Sequence, residues 1–390
     1  MSLLIGRIPL LSKASMSLKI GLRRLATLSH NKPTSVKKIP RDDYLTIVKH
    51  VIASGDNQTK NVVVSPPSIH VLLVQCAVTS GGSTRAQLLK YLKSERVEHL
   101  EPFYTQIVST LLTDGVPLFG PHLSFWGGIW PDWGHTLKPA YRYTLKALSP
   151  RLLYAHGVCF TGIWSEKFDA KLTTDADFHL SNGTTVRAPF MTSWYKQRVG
   201  TFEGFKVLKL PYYAGLDKRR FSMYIYLPNA KDGVPSLIER ITSELGFVDS
   251  HLPHEGAVTL DEFRIPKFKI GFELEFSSIA TKLGVVNLSE SGMGEIHGER
   301  VVCEILHRAV VVVNEMGTDT EVELPLGLFV ASPMMGEKSG LRFVADHPFV
   351  FTIREDTSGV VLFVGQLLDP LAPPPSGFIE YPVTTPVFWF

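Results

Sequence analysis

The chain holds 13 histidines and 37 carboxylates, enough for many kinds of acid–base or metal chemistry, but chemistry needs spacing as well as residue type. A serine nucleophile is often presented on a Gly-x-Ser-x-Gly turn, a phosphate in a Gly-x-x-x-x-Gly-Lys loop, and zinc by a His-Glu-x-x-His helix. None of these patterns occurs. His254-Glu255 lacks the second histidine of a helical zinc pair. Gly292, Gly294 and Gly298 miss the dinucleotide-binding spacing and follow no clear strand. Cys76, Cys159 and Cys303 lie far apart; an odd, sparse set predicts buried free thiols rather than a disulfide framework or a metal centre. The residues therefore predict no catalytic group, no metal site and no cofactor, and the chain reads as a protein other than an enzyme.

Any other site must be positioned by a large folded unit. The 390 residues are 44% hydrophobic and 20% charged, with 23 phenylalanines, a composition that suits a soluble globular protein with a sizeable core. No apolar run approaches the roughly 20 residues that span a bilayer. The net charge of +3 is unevenly spread: residues 1–41 carry nine basic and no acidic side chains, leaving 31 basic against 37 acidic in the remainder. That mildly acidic remainder argues against nucleic acid as a partner. Residues 1–40, basic and rich in Ser and Leu, have the composition of an organelle transit peptide or of a disordered tail. The Asn57, Asn182 and Asn287 sequons matter only in a secreted chain.

Asp42 to Ile52 predicts an amphipathic helix capped by Asp42 or Asp43. Asn61 to Ser65 predicts a short strand stopped by Pro66-Pro67. Helices follow over Ser68 to Ser80 and Ser83 to Leu92, the second capped by Ser83. Strands are predicted at Ser124 to Trp130, Leu152 to Phe160, Phe205 to Leu210, Ser222 to Leu227, Glu262 to Ile265, Ala309 to Asn314 and Val360 to Leu367. Helices early and strands late, without repeat or linker between Asp42 and Pro370, predict one α+β domain. The Pro-rich residues 371–390 form a tail, either a strand-like sticky end or a disordered extension.

Four segments in order resemble the serpins, the serine-protease-inhibitor family. They are Asn61-Val-Val-Val-Ser65-Pro-Pro-Ser68 with the helix carrying Gly82, Thr84, Gln87 and Leu92; Phe160-Thr-Gly162-Ile-Trp164-Ser-Glu-Lys-Phe168; Val313-Asn-Glu315-Met-Gly317-Thr318; and Phe343-Val-Ala-Asp346-His347-Pro348-Phe349 running to Leu362-Phe363-Val-Gly365-Gln366. The stretch Asp169 to Ser250 is most similar to plant members. The resemblance implies the serpin fold over residues 41–370: a large central β-sheet, further sheets, helices clustered early and an exposed reactive loop. It implies a suicide-substrate mechanism, in which a serine (or cysteine) protease cleaves the loop and is acylated, and the freed loop enters the sheet as a new strand. On this resemblance Glu315, Gly317 and Thr318 fall at the loop hinge. Ser65, Ser68, His156 and His307 fall in the shutter, where the sheet opens, and Trp164 in the breach, where the loop first enters. Without their neighbours, Gly317 would read as a turn glycine, Ser68 as a helix cap and Trp164 as a core aromatic. The family's spacing from Glu315 puts the scissile bond at Ala331-Ser332, to within one residue, and a small apolar bait suits an elastase-like protease. Pro333 would hinder cleavage at the following bond. A monomer is implied, in the cytoplasm or outside the cell as for the family.

Three departures qualify that reading. After Thr318 the chain reads Asp319-Thr-Glu321-Val-Glu323-Leu-Pro325, where inhibitory members carry small residues. Thr318, Thr320, Val322 and Leu324 alternate as a half-buried strand does, but the bulk and charge should slow insertion, and Pro325 lacks the N–H a central strand needs. Only Ser149-Pro150 separates the helix-like Lys138 to Leu148 from the strand at Arg151, so an edge strand and a sheet-covering helix are missing, which predicts exposed apolar sheet surface. The stretch from Val286 to Glu299 is also short. His156 stands where the family usually has Asn, facing the shutter histidine, His307. These features predict a non-inhibitory or weakly inhibitory serpin, with a binding or scaffold protein on the same fold as the alternative.

Overall fold

In a computed structural model, which describes residues 43–100, 107, 111–112, 120–131, 151–254, 256–285, 293–296, 299–318 and 339–375, a 3-10 turn leads into α1 (Thr46–Ile52). The helix starts later than its acidic residues suggest. Tyr44 and Leu45 are already buried, and the Tyr44 hydroxyl accepts a hydrogen bond from Val361 N–H at 2.9 Å. Packing sets the entry; Leu45 holds the cap position, Asp43 begins the turn and Asp42 lies outside the described residues. β1 (Val62–Val64) is buried throughout. The prolines that stop it open α2 (Pro66–Thr79) at positions where a missing N–H costs nothing. Ser65, not Ser68, takes the cap position there, without a side-chain capping bond. Likewise Gly81, not Ser83, precedes α3 (Gly82–Tyr91).

The rest is mostly strand: β2 (His122–Pro131), β3 (Arg151–Ile163), β4 (Thr174–His179), β5 (Thr185–Met191), β6 (Arg198–Phe202), β7 (Phe205–Pro211), β8 (Phe221–Pro228), β9 (Glu262–Pro266), β10 (Phe268–Glu275), β11 (Met293–Ile296), β12 (Glu299–Val313), β13 (Gly317–Thr318), β14 (Arg342–Val344), β15 (Phe349–Glu355) and β16 (Val361–Leu367). A helix, α4 (Val234–Ser243), falls between β8 and β9. Among the described residues the strands form three sheets, ordered β1-β16-β15-β8-β7-β6, β10-β12-β13-β3-β2 with β11 beside β12, and β14-β9-β5-β4.

β8, β15 and β16 are buried along their whole length, so their mostly apolar sequences show no alternation, and even Arg354 and Glu355 at the end of β15 are buried. β12 alternates. Ile305, His307, Ala309, Val311 and Val313 are buried, while Leu306, Arg308, Val310 and Val312 are half-buried on the other face. The buried face meets the first sheet through Phe268 edge-on to Phe349, 5.9 Å between ring centres, and Phe160 against Phe221 at 5.6 Å. Cys76 is a buried free thiol; Cys159 is free but only half-buried, and the Cys303 side chain lies outside the description. Outward-facing Cys159, Ile163, Leu306, Val310 and Val312 are half-buried, so the apolar exposure expected of the shortened chain is partial. The expected helix over Lys138 to Leu148 lies outside the described residues.

Candidate functional site at the head of a closed strand pair

β3 and β12 run parallel and pair directly over nine positions, from Val302 against Arg151 to Val310 against Cys159. Above Cys159 they part, and β13 stands between them, antiparallel to both. Thr318 pairs with Val313 on one side and Gly162 on the other, and Gly317 pairs with Ile163. The chain reaches this place by a tight reversal after β12. Asn314 N–H donates to Gly317 O at 3.0 Å, and the Asn314 side-chain oxygen accepts from Met316 N–H and Gly317 N–H at 2.9 and 3.2 Å.

Three contacts hold the reversal. Trp164 donates its indole N–H to Asn314 O and its backbone N–H to Met316 O, both at 2.9 Å. It is 2% exposed and stacks on Tyr212, 4.6 Å between ring centres. The Glu315 carboxylate lies 2.9 Å from Lys267 Nζ and accepts from Thr173 Oγ1 at 2.8 Å. Thr318, fully buried, shares a 2.6 Å hydrogen bond with the Tyr212 hydroxyl. Gly317 is required by space: an added Cβ would sit 1.9 Å from Gly162 O. Burial pushes the Tyr212 hydroxyl pKa well up, more than the Thr318 bond lowers it, so it stays protonated.

Burial alone would raise the Glu315 pKa, but hydrogen bonds from Lys267, its own backbone and Thr173, together with the Lys267 charge, hold it below the ordinary glutamate value. The folded pKa lies below the unfolded one. The anchor's contribution is therefore complete above the ordinary glutamate range and is lost as pH falls through that range to the lower folded value. Melting temperatures of the wild type and Glu315→Gln, measured from about pH 7 to about pH 3, should differ most at neutral pH and converge in acid. A difference that persists unchanged in acid would contradict the anchor.

At the lower end, Ser65 N–H donates to His307 Nε2 at 3.1 Å, which requires that nitrogen to be unprotonated. Ser65, Ser68 and His307 are all buried. His156 lies directly opposite His307 in the β3–β12 register, with its side chain outside the description. The structure thus brings Ser65 to His307, and Trp164 to the turn bearing Glu315 and Gly317. Ala331 and Ser332 lie outside the described residues. Tyr212, Lys267, Thr173 and Asn314 complete the upper cluster without having been singled out in the sequence. Asn314 alone sits inside a motif; the others reach it from 48 to 142 residues away. Among the described residues no cluster of three or more His, Cys, Asp or Glu could hold a metal.

A two-residue strand seated at the head of an otherwise closed parallel pair defines a fold of the protease-inhibitor class. The family model described as Serpin (serine protease inhibitor) matches residues 45–150 and 148–370, two pieces that meet where the sequence is short. Serpin-ZX of Arabidopsis thaliana is 37% identical, the alignment covering 84% of this chain and 96% of that protein; Serpin-Z1C of Triticum aestivum is 34% identical over 84% and 94%. Among solved structures, Arabidopsis AtSerpin1 in its native stressed conformation is 35% identical with a TM-score of 0.71, covering 85% of this chain and 96% of that one. Uncleaved ovalbumin shares the fold at 17% identity and a TM-score of 0.64, over 85% and 98%. The chain belongs to the serpin family and is of plant type, which places it among protease inhibitors rather than enzymes.

Proposed function

We propose that this serpin offers Ala331-Ser332 as bait to an elastase-like serine protease, and that cleavage more often releases the protease than traps it. The observation that carries the reading is the seat of Gly317 and Thr318 between β3 and β12. The offset between these two strands is the same at the seat (Val313 and Gly162 beside Thr318) as along the closed seam (Val302 against Arg151). A longer β13 could therefore enter by sideways parting alone, with no sliding of one strand past the other. Trapping requires insertion faster than hydrolysis of the acyl link, and Asp319, Glu321, Glu323 and Pro325 burden that insertion. In this reading Trp164, Tyr212 and Glu315 hold the hinge, and Ser65, Ser68, His156 and His307 guard the seam below it; residues 41–370 form the working domain, with 1–40 and 371–390 as appendages.

Incubation with elastase-, chymotrypsin- and trypsin-like proteases tests this, with SDS gels and mass analysis of the cut. The expected result is cleavage after Ala331 by the elastase-like enzyme with a minor SDS-stable adduct. A near-stoichiometric adduct would overturn the impairment, and an intact loop with all three enzymes would overturn the bait.

A further inference from the structure

We infer that Asn182, at the tip of the β4–β5 hairpin, modifies itself: the Gly183 backbone nitrogen displaces the side-chain amide, and water then opens the resulting ring to a carboxylate. Asn182-Gly183 is the only Asn-Gly pair in the chain. Residues 181–185 are all exposed, so water reaches both stages of the reaction. The turn is closed by Leu180 N–H donating to Thr184 O at 2.8 Å and Gly183 N–H donating to Leu180 O at 3.0 Å. Gly183 sits at φ +84°, a left-handed conformation that glycine takes without strain. An added Cβ there would meet nothing within 4 Å, so that side of the attacking residue is open to solvent.

The Asn182 side chain is set to receive the attack. Its oxygen accepts from Thr184 N–H at 2.9 Å and from Thr184 Oγ1 at 2.6 Å. The backbone donor identifies that atom as the carbonyl oxygen of the amide. Addition of the Gly183 nitrogen to Cγ places negative charge on this oxygen, and two donors already point at it, as in an oxyanion hole. The nitrogen gives up its bond to Leu180 O and loses its proton to hydroxide as the N–Cγ bond forms. The Cγ–Nδ2 bond then breaks, and ammonia leaves with a proton taken from solvent. Water adds to either carbonyl of the imide, so the ring opens to an aspartate or to an isoaspartate, whose backbone is one carbon longer. Asn57, Asn61, Asn229 and Asn314 are followed by Gln, Val, Ala and Glu, whose side chains crowd the attacking nitrogen. Asn57 also commits its amide nitrogen to Val51 O at 2.9 Å, and Asn61 is tied to residues 368 and 369 through both ends of its amide. Asn314 has two N–H donors on its oxygen too, but Trp164 holds its backbone carbonyl. The product adds a negative charge at the tip. As isoaspartate it also lengthens a turn whose flanking register runs unbroken from Thr174↔Phe190 to His179↔Thr185.

Full-length protein held at physiological temperature, in mildly alkaline buffer made with heavy-oxygen water, tests this. Isoelectric focusing should show a more acidic form accumulating over weeks, and peptide mapping should place a heavy oxygen and isoaspartate at position 182. Thr184→Val keeps the backbone N–H and removes the hydroxyl, so it should slow the conversion about tenfold, the worth of one hydrogen bond to a developing charge, with melting retained. Thr184→Ser, which keeps the hydroxyl, should convert at the wild-type rate. A position 182 that stays asparagine throughout would overturn the inference, as would equal rates in all three chains.

Discussion

Replacing Pro325 by alanine should raise the yield of SDS-stable protease adduct about tenfold. The β13 register, continued beyond Thr318, would carry Thr320 between Phe160 and Val311, Val322 between Val158 and Ala309, and Leu324 between His156 and His307. These share the inward face with the buried Thr318. The acidic residues alternate outward. Glu323 would arrive between Gly157 and Arg308, whose guanidinium already pairs with Glu273, so a second carboxylate meets a cation there rather than bare apolar surface. Pro325 would come between Ala155 and Leu306 and has no N–H to give. An unpaired carbonyl inside a sheet costs about 1–3 kcal/mol, and about 1.4 kcal/mol is a factor of ten in rate. Counting adducts against cleaved chains for Pro325→Ala and wild type measures the change directly; an unchanged ratio would clear the proline of responsibility.

Gly317→Val in the Pro325→Ala background should abolish the adduct and remove any gain in melting temperature on loop cleavage. An added Cβ at Gly317 would lie 1.9 Å from Gly162 O and 2.8 Å from Ile163 Cα. Both are backbone atoms of β3 and cannot swing aside as a flexible side chain can. The hinge must leave its seat, taking Thr318 from Tyr212 and leaving that buried hydroxyl without the 2.6 Å bond. The other strand pairings of the three sheets do not involve β13, so the variant should remain folded, at a lower melting temperature, with its loop still cleavable. Retained adduct formation would mean that insertion begins elsewhere.

The sequence signals were strongest where a local pattern and a long-range contact coincide. Val313 to Thr318 carries the hinge in six consecutive residues, and the turn there is closed largely by its own Asn314. Tyr212, Lys267 and Thr173 gave no such signal, since nothing in their own neighbourhoods marks a partner tens of residues away. β12 was half visible. Ala309 to Val313 is a plain apolar, mostly β-branched run, but Glu299 to Arg308 mixes charge and imidazole: Arg308 pairs with Glu273, and the buried His307 accepts from Ser65 N–H. β15 was missed although Phe349–Glu355 is buried at every position, since Arg354 and Glu355 resemble surface residues until Asp249 and the backbone N–H groups of Arg220 and Ser358 are seen to satisfy them. Helix starts failed for another reason. At α1 a buried tyrosine decides the boundary, and at α3 a glycine with positive φ at Gly82 does so; neither follows from capping preference alone.

β1 and β16 are neighbours in one sheet, Val62 against Gln366 and Val64 against Val364, although nearly the whole chain lies between them. During synthesis β1 and the start of α2 therefore wait for β16 to leave the ribosome, while β3, β12 and the residues after Thr318 have already emerged. Contacts of such separation close slowly, and a nascent chain that exposes strand edges meanwhile is vulnerable to misassembly. The C-terminal strands thus act as the latch on a race: cells making this protein at high rate, or from a transcript truncated before Val361, should accumulate chains whose central sheet is already occupied or shared.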